Sequence, residues 1–308
     1  MSFFQNFPRL LLLTIFSILI SLVIFFPNEN NVKRNLLVLP EFSKITIKPQ
    51  NKNILTPPAV SAEAVLVTDY KTGEILFEKN KNLKLTPASL TKLATAQLVL
   101  EKCSKDQIVT VPQISTPSGT KMGLLAGEKI TVENLLYGLL LPSGNDAANV
   151  LMLVCFGNLG EFLSSINKFT QKLNMINTQL VNPSGLPAKN HFSTAEDLLK
   201  LTKAALANKT ISEIVLAKEK TVTDSTGEIS HKLVNLNKLL KDPKVLGVKT
   251  GRTNFGENLI VLKEIHGNKV ISIVLQSDDR FADSEKILDW IEKNFSWEEN
   301  LLKDLTTF

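Results

Sequence analysis

The sequence of 308 residues predicts an α+β fold: one antiparallel sheet flanked by helices, with an all-helical lobe inserted into it. Strand-like runs occupy both ends of the main body, at 64–69 and 74–78 and again at 245–250, 258–262 and 269–275. The interval between them is filled by helix-like segments with capping and stop signals. A third observation concerns the start of the chain, where an apolar run at 10–26 follows Arg9 and predicts an additional N-terminal transmembrane helix.

Taken in order, 10–26 is long enough for an export signal and just long enough to cross a bilayer, which takes roughly 17–25 residues. No small-residue cleavage site directly follows it, and Ala59-Val60-Ser61-Ala62 lies too far downstream, so an uncleaved signal anchor over 1–27 is favoured over a removed signal. Charge leaves the orientation open, because Arg9 on one side competes with Lys33 and Arg34 on the other. The polar segment 28–60 reads as a stalk, 61–297 as the folded domain and 298–308 as a tail.

The domain opens with two strands joined through Tyr70-Lys71-Thr72-Gly73 as a hairpin. A helix follows to Lys102, with Thr86 in capping position and Pro87 suited to its first turn. Residues 108–111 form a short strand. A helix begins at Thr131 and stops at Pro142, the turn 142–146 leads to helices at 147–156 and 161–173, and 182–187 is a loop. Ser193-Thr194-Ala195-Glu196 has the form of a capping box for a helix ending near Ala207. His266-Gly267-Asn268 turns the last strand pair, and 284–294 closes the domain as a helix.

With 44% hydrophobic and 21% charged residues the chain can bury one large core or two lobes. A net charge of +5 without any basic run excludes an evident nucleic-acid site. Cys103 and Cys155 lack C-x-x-C spacing; buried free thiols are the favoured reading, with a disulfide as the alternative in an exported protein. His191, His231 and His266 are too scattered for a metal site, so no metal and no cofactor is expected.

The chemistry concentrates at Ser89-Leu90-Thr91-Lys92. Residues three apart share a helix face, so the lysine amine can meet the serine hydroxyl, and a lysine kept neutral can take the proton that makes the hydroxyl a nucleophile. Backbone N–H groups of a first helical turn suit a developing anion. The same spacing recurs at Ser118-Gly119-Thr120-Lys121 and Ser165-Ile166-Asn167-Lys168, but the first lies among Pro and Gly and the second in mid-helix.

In order, the chain carries Ser89-Leu90-Thr91-Lys92, Ser143-Gly144-Asn145 and Lys249-Thr250-Gly251, and so resembles the penicillin-binding protein and serine beta-lactamase superfamily. The flanking Pro87-Ala88, Leu141-Pro142, Asp146-Ala147-Ala148 and Asn182-Pro183-Ser184-Gly185-Leu186 look like the low-molecular-mass D-alanyl-D-alanine carboxypeptidases, from about residue 62 to 295. The resemblance implies a beta-lactamase/DD-peptidase-like fold and removal of the terminal D-Ala from peptidoglycan stem peptides through an acyl-enzyme, with beta-lactams as covalent inhibitors. It implies Ser89 as nucleophile, Lys92 as base and Ser143 as proton relay to the departing amine. Asn145 would bind the substrate amide, Lys249 would supply positive potential to the Ser143 end of the site, Thr250 would help hold the terminal carboxylate, and the backbone N–H groups of Ser89 and Arg252, beside Gly251, would hold the oxyanion. Arg280 matches a carboxylate-binding arginine of relatives, with a solvated loop arginine as the alternative; Asn182 and His191 would shape loops.

After Lys249-Thr250-Gly251 the chain reads Arg252-Thr253-Asn254-Phe255-Gly256, with Phe where the family usually has Ala. Residues beyond Phe295 are too few for the second domain and docking helix of many relatives, so attachment to the cytoplasmic membrane is expected through the N-terminal helix, with the catalytic domain outside. A class A beta-lactamase is the alternative enzyme, but no glutamate between Ser143 and Lys249 has the Glu-x-x-Leu-Asn context it needs. A catalytically silent, membrane-tethered peptidoglycan-binding protein is the non-enzymatic alternative.

Overall fold

A computed structural model describes residues 47–113 and 118–297. The N-terminal anchor, the first part of the stalk and the C-terminal tail lie outside the described residues.

Among those described, strands β1 (Gln50–Asn51), β2 (Ala64–Asp69) and β3 (Ile75–Lys79) come first. A 3₁₀ turn, Ala88–Thr91, leads into α1 (Lys92–Lys102). Then come β4 (Ile108–Thr110), β5 (Lys129–Thr131), α2 (Val132–Leu140), α3 (Asn145–Phe156), α4 (Leu159–Lys172), α5 (Ala195–Ala207) and α6 (Lys209–Leu216). The hairpin β6 (Glu219–Thr223) and β7 (Ser230–Val234) precedes β8 (Val245–Thr253), β9 (Gly256–Ile265), β10 (Asn268–Ser277), α7 (Arg280–Asn294) and β11 (Phe295–Ser296). The main sheet has the order β3-β2-β10-β9-β8 and every pairing in it is antiparallel. The helices α1 to α6 are inserted between β3 and β8, as expected from strands at both ends of the domain.

Strand alternation sends side chains into two separate cores. Ala64 and Leu66 of β2, Ile260 and Leu262 of β9, and Ile271, Ile273 and Leu275 of β10 face the helical lobe. Val65, Val67, Leu259, Val261, Val270 and Val274 face α7, where they meet Ile287, Trp290 and Ile291. Because both faces are covered, β2 is buried at every position, and its first four residues are apolar.

Several boundaries differ from the sequence reading, each for a local reason. Residues 47–60, read as stalk, lie on the domain: β1 pairs with β11, and Asn294 Oδ1 accepts the N–H groups of Ile54 and Leu55, both at 2.9 Å. The cap of α5 is Thr194, one residue later than the capping-box reading, with Oγ1 accepting from Asp197 N at 3.1 Å. The last helix starts at Arg280 because the Asp279 carboxylate caps it through Phe281 N and Ala282 N. The β6–β7 hairpin and α6 had no distinct signal. Cys103 and Cys155 are joined in a disulfide, with Cα atoms 5.8 Å apart, in place of the favoured free thiols. One follows the end of α1 and the other sits near the end of α3, and no spacing rule reveals that these two helices run side by side.

Candidate active site

The cleft lies where the 3₁₀ turn before α1, the start of α3 and the edge strand β8 converge. Thr86 does not cap the helix. Pro87 is the N-cap, without a side-chain bond, and Ser89 sits in the tight turn ahead of the α-helix. Packing imposes this geometry. A Cβ on Gly185 would strike the carbonyl of Ala88, and one on Gly251 would come within 3.2 Å of both Ala88 Cβ and Pro87 O, so glycines on two sides let the turn press into the cleft wall. Ala88 takes a positive φ of 50° there, a conformation that non-glycine residues seldom adopt. In a 3₁₀ turn side chains at i and i+3 eclipse, so Ser89 and Lys92 still meet.

Lys92 is fully buried, and its Nζ has three partners: Ser184 O at 2.6 Å, Asn145 Oδ1 at 2.7 Å and Ser89 Oγ at 3.0 Å. Burial lowers its pKa to about 7, against a smaller upward pull from Asp146. Near neutrality the amine therefore exists in both forms. When it is neutral, the carbonyl and the amide oxygen can only accept, so they fix its two N–H bonds and its lone pair is left to face Ser89 Oγ. A hydroxyl pointed at a fixed, unprotonated amine is equipped for acyl transfer.

Each partner is itself held. Asn182 Oδ1 accepts from Ser184 N, Ser184 Oγ and Gly185 N, folding the loop that presents the Ser184 carbonyl. Thr95 Oγ1 donates to Pro183 O at 2.7 Å. Val181 N donates to His191 Nδ1, which leaves His191 Nε2 to donate to Thr91 Oγ1 at 2.9 Å; burial holds this imidazole neutral, at a pKa of about 4. Asn182 and His191 thus shape the walls, as expected.

Ser143 has a positive φ of 63°, and its buried Oγ has no hydrogen-bond partner among the described residues. Its carbonyl accepts from Thr120 Oγ1 at 2.7 Å. Asn145, expected to bind the substrate amide, is engaged inside the protein at both ends of its side chain, by Lys92 Nζ and by Ser118 O, to which its Nδ2 donates at 2.7 Å. Its role in this structure is to hold Lys92. Asp146 organises the neighbouring loop by accepting from Met122 N, Gly123 N and Leu124 N.

At the other end, Lys249 is fully buried and donates to Thr250 O at 3.2 Å. Burial, Lys92 and Arg280 together hold its pKa well below the ordinary lysine value. Thr250 and Gly251 are buried beside it, while the Arg252 side chain is 79% exposed and pairs with Glu257. Arg280 is not a solvated loop residue: it is mostly buried, its Nη1 donates to Gly251 O at 2.6 Å, and its guanidinium lies over the Phe281 ring. Phe255 is exposed at the tip of the β8–β9 hairpin.

The sequence reading missed Ser184, Asp146, Asn258 and Glu257. Asn258, fully buried in β9, donates through Nδ2 to Thr86 O at 3.0 Å and accepts from Gln276 N at 2.8 Å, tying the Ser89 turn to the sheet. An asparagine leading directly into the apolar run 259–262 is the signal that could have found it.

Fold and site define a serine acyl-transfer protein with a lysine beside the nucleophile. A family model described as D-alanyl-D-alanine carboxypeptidase matches residues 51–279, and the chain belongs to that family. The D-alanyl-D-alanine carboxypeptidase DacF of Bacillus subtilis is 30% identical over 265 residues, covering 82% of this chain and 68% of the relative. DacC of Escherichia coli is 34% identical, covering 76% and 62%, and a D-alanyl-D-alanine endopeptidase of Pseudomonas aeruginosa is 31% identical, covering 76% and 78%. The chain thus spans about two thirds of the length of the carboxypeptidases it matches. Among solved structures, the Streptomyces K15 DD-transpeptidase superposes with a TM-score of 0.72 at 29% identity, over 77% of this chain and 98% of that one. Penicillin binding protein 6B from Escherichia coli gives 0.71 at 30% identity, over 82% and 83%.

Proposed function

We propose that the chain is a serine-type D-Ala-D-Ala carboxypeptidase that removes the terminal D-Ala from peptidoglycan stem peptides and is acylated by beta-lactams. The observation that carries this reading is the three-way hold on Lys92 Nζ, which turns the lone pair of the neutral amine towards Ser89 Oγ. In the acylation step the Ser89 hydroxyl proton passes to Lys92, and Oγ bonds to the carbonyl carbon of the penultimate D-Ala. The backbone N–H groups of Ser89 and Arg252 hold the oxyanion. As the C–N bond breaks, the leaving amine of the terminal D-Ala takes a proton through Ser143. Water then cleaves the Ser89 ester, returning the proton to Oγ. Lys249, Thr250 and Arg280 receive the terminal carboxylate.

Beside Lys92 stands the Ser184 carbonyl, not a carboxylate. A carbonyl cannot take a proton from an incoming water, so deacylation of a bulky penicilloyl group is slow and the adduct is long-lived, unlike that of a class A beta-lactamase.

The proposal extends to location: an extracytoplasmic domain held to the cytoplasmic membrane by the N-terminal apolar run. The Cys103–Cys155 disulfide supports an oxidising compartment.

Mass measurement after penicillin treatment, with Ser89→Ala in parallel, tests the nucleophile. A stable adduct on the wild-type protein and none on the variant is expected, and labelling of the variant would remove Ser89 from this role. Release of free D-Ala from a peptide ending in D-Ala-D-Ala tests the activity, and a silent binder would release none.

A further inference from the structure

Behind the carboxylate-binding end of the cleft lies a charge arrangement that the reaction itself does not use. Lys249, Arg252 and Arg280 bring three cationic side chains to one end of β8. Two carboxylates accompany them. Asp279 is spent capping α7 through Oδ1, and Glu257, only 18% exposed, stands between the two guanidinium groups. Its Oε1 lies 3.2 Å from Arg252 Nε and its Oε2 lies 3.6 Å from Arg280 Nε.

The second distance is the informative one. At 3.6 Å the contact is an ion pair and not a hydrogen bond, and Arg280 Nε is buried without an acceptor among the described residues. Arg280 is nonetheless fixed in place by Gly251 O at one end and by the Phe281 ring on its face. The guanidinium thus holds donors in reserve while Glu257 partly neutralises it through space.

We propose that Glu257 is an internal counter-ion of this subsite: its charge competes with the terminal carboxylate of the substrate for Arg280, and so sets how strongly the site prefers a free carboxylate to its uncharged amide. This rests on the carboxypeptidase reading above. A ligand carboxylate arriving at Arg280 meets a like charge already in place, and repulsion across a half-buried site is weakly screened. Glu257 is a positioning and tuning residue; it does not touch the reacting atoms.

The test uses the full chain carrying Ser89→Ala, which binds without turnover, and two acylated D-Ala-D-Ala peptides, one with a free C-terminal carboxylate and one with a carboxamide. Calorimetry compares this protein with the same protein carrying Glu257→Gln, which keeps the side chain's size and removes its charge. Expected is binding on the order of 3- to 10-fold tighter for the carboxylate peptide and an unchanged carboxamide peptide. Equal shifts for both peptides, no shift with Glu257→Gln, or no binding of the carboxylate peptide to either protein would overturn the proposal. D-Ala release and penicillin labelling by the wild-type chain report separately on the carboxypeptidase reading.

Discussion

Two buried lysines share one cleft, and the protein treats them in opposite ways. Lys92 has three well-placed oxygens around its Nζ, and burial leaves it near pKa 7. Lys249 is equally buried yet has one carbonyl of its own strand at 3.2 Å, and Lys92 and Arg280 add repulsion. A charge buried without matching acceptors is expensive. The contrast teaches that the fold supplies Lys92 with three polar partners and Lys249 with one.

The largest expected effect separates the two ends kinetically. Lys92→Ala lowers the rate of penicillin acylation on the order of 10³-fold or more, because it removes the base from a unit that acts together. Lys249→Ala costs roughly 10²-fold and, with peptide substrate, appears mainly as a raised KM. Stopped-flow acylation and steady-state kinetics read both, and the same loss in the same parameter for both variants would break the comparison.

Next comes the covalent tie. The disulfide joins the far ends of α1 and α3, whose near ends carry Lys92 and Asn145, and it closes a 52-residue separation. Chain-entropy reasoning gives about 4 kcal/mol of stability from such a closure. Chemical denaturation of the Cys103→Ser/Cys155→Ser variant should show a loss of that order. Acylation then becomes more sensitive to temperature, with little change in KM for the carboxylate.

Smaller in size is a stability difference between two isosteric changes. Lys249→Met is expected to stabilise the fold by roughly 1–3 kcal/mol near neutral pH, since it removes a poorly compensated buried amine. Lys92→Met strands Asn145 Oδ1 and the Ser184 carbonyl without their donor, and gains less or loses. Thermal melts of the two variants should therefore rank Lys249→Met above Lys92→Met.

The smallest effect is in pH dependence. The basic form of Lys92 is the neutral amine, so acylation rises with pH through about 7, its folded-state pKa, and falls away below it. Asn145→Asp places a carboxylate 2.7 Å from Nζ, favours the ammonium and moves the midpoint up by about one unit or more. An unmoved midpoint would show that another group controls the profile.

Much of this site is legible along the chain, and what is hidden has a physical pattern. Ser89, Lys92, Ser143, Asn145 and Lys249 sit in three short motifs whose order along the chain carries the resemblance, so they can be singled out from the sequence. The Ser184 carbonyl is invisible to that approach because any residue supplies one, and only the loop folded by Asn182 aims it. The resemblance implies that Asn145 binds the substrate amide; that its side chain also holds Lys92 and Ser118 O depends on a partner 53 positions away. Ser89 was placed in an α-helical turn from Thr86 and Pro87, and the packing of Gly185 and Gly251 made that turn 3₁₀ instead.

By itself the sequence determined the five strands of the main sheet and most of the helices, the insertion of a helical lobe within that sheet, and the family to which the chain belongs. Those follow from local periodicity and from side chains whose chemistry is specific. Tertiary structure alone decided that Cys103 meets Cys155, that Arg280 reaches back to Gly251, and that Lys249 feels the charge of Lys92 far away along the chain. Burial and electrostatics act through space, and the distances that set them exist only once the sheet has closed against the lobe.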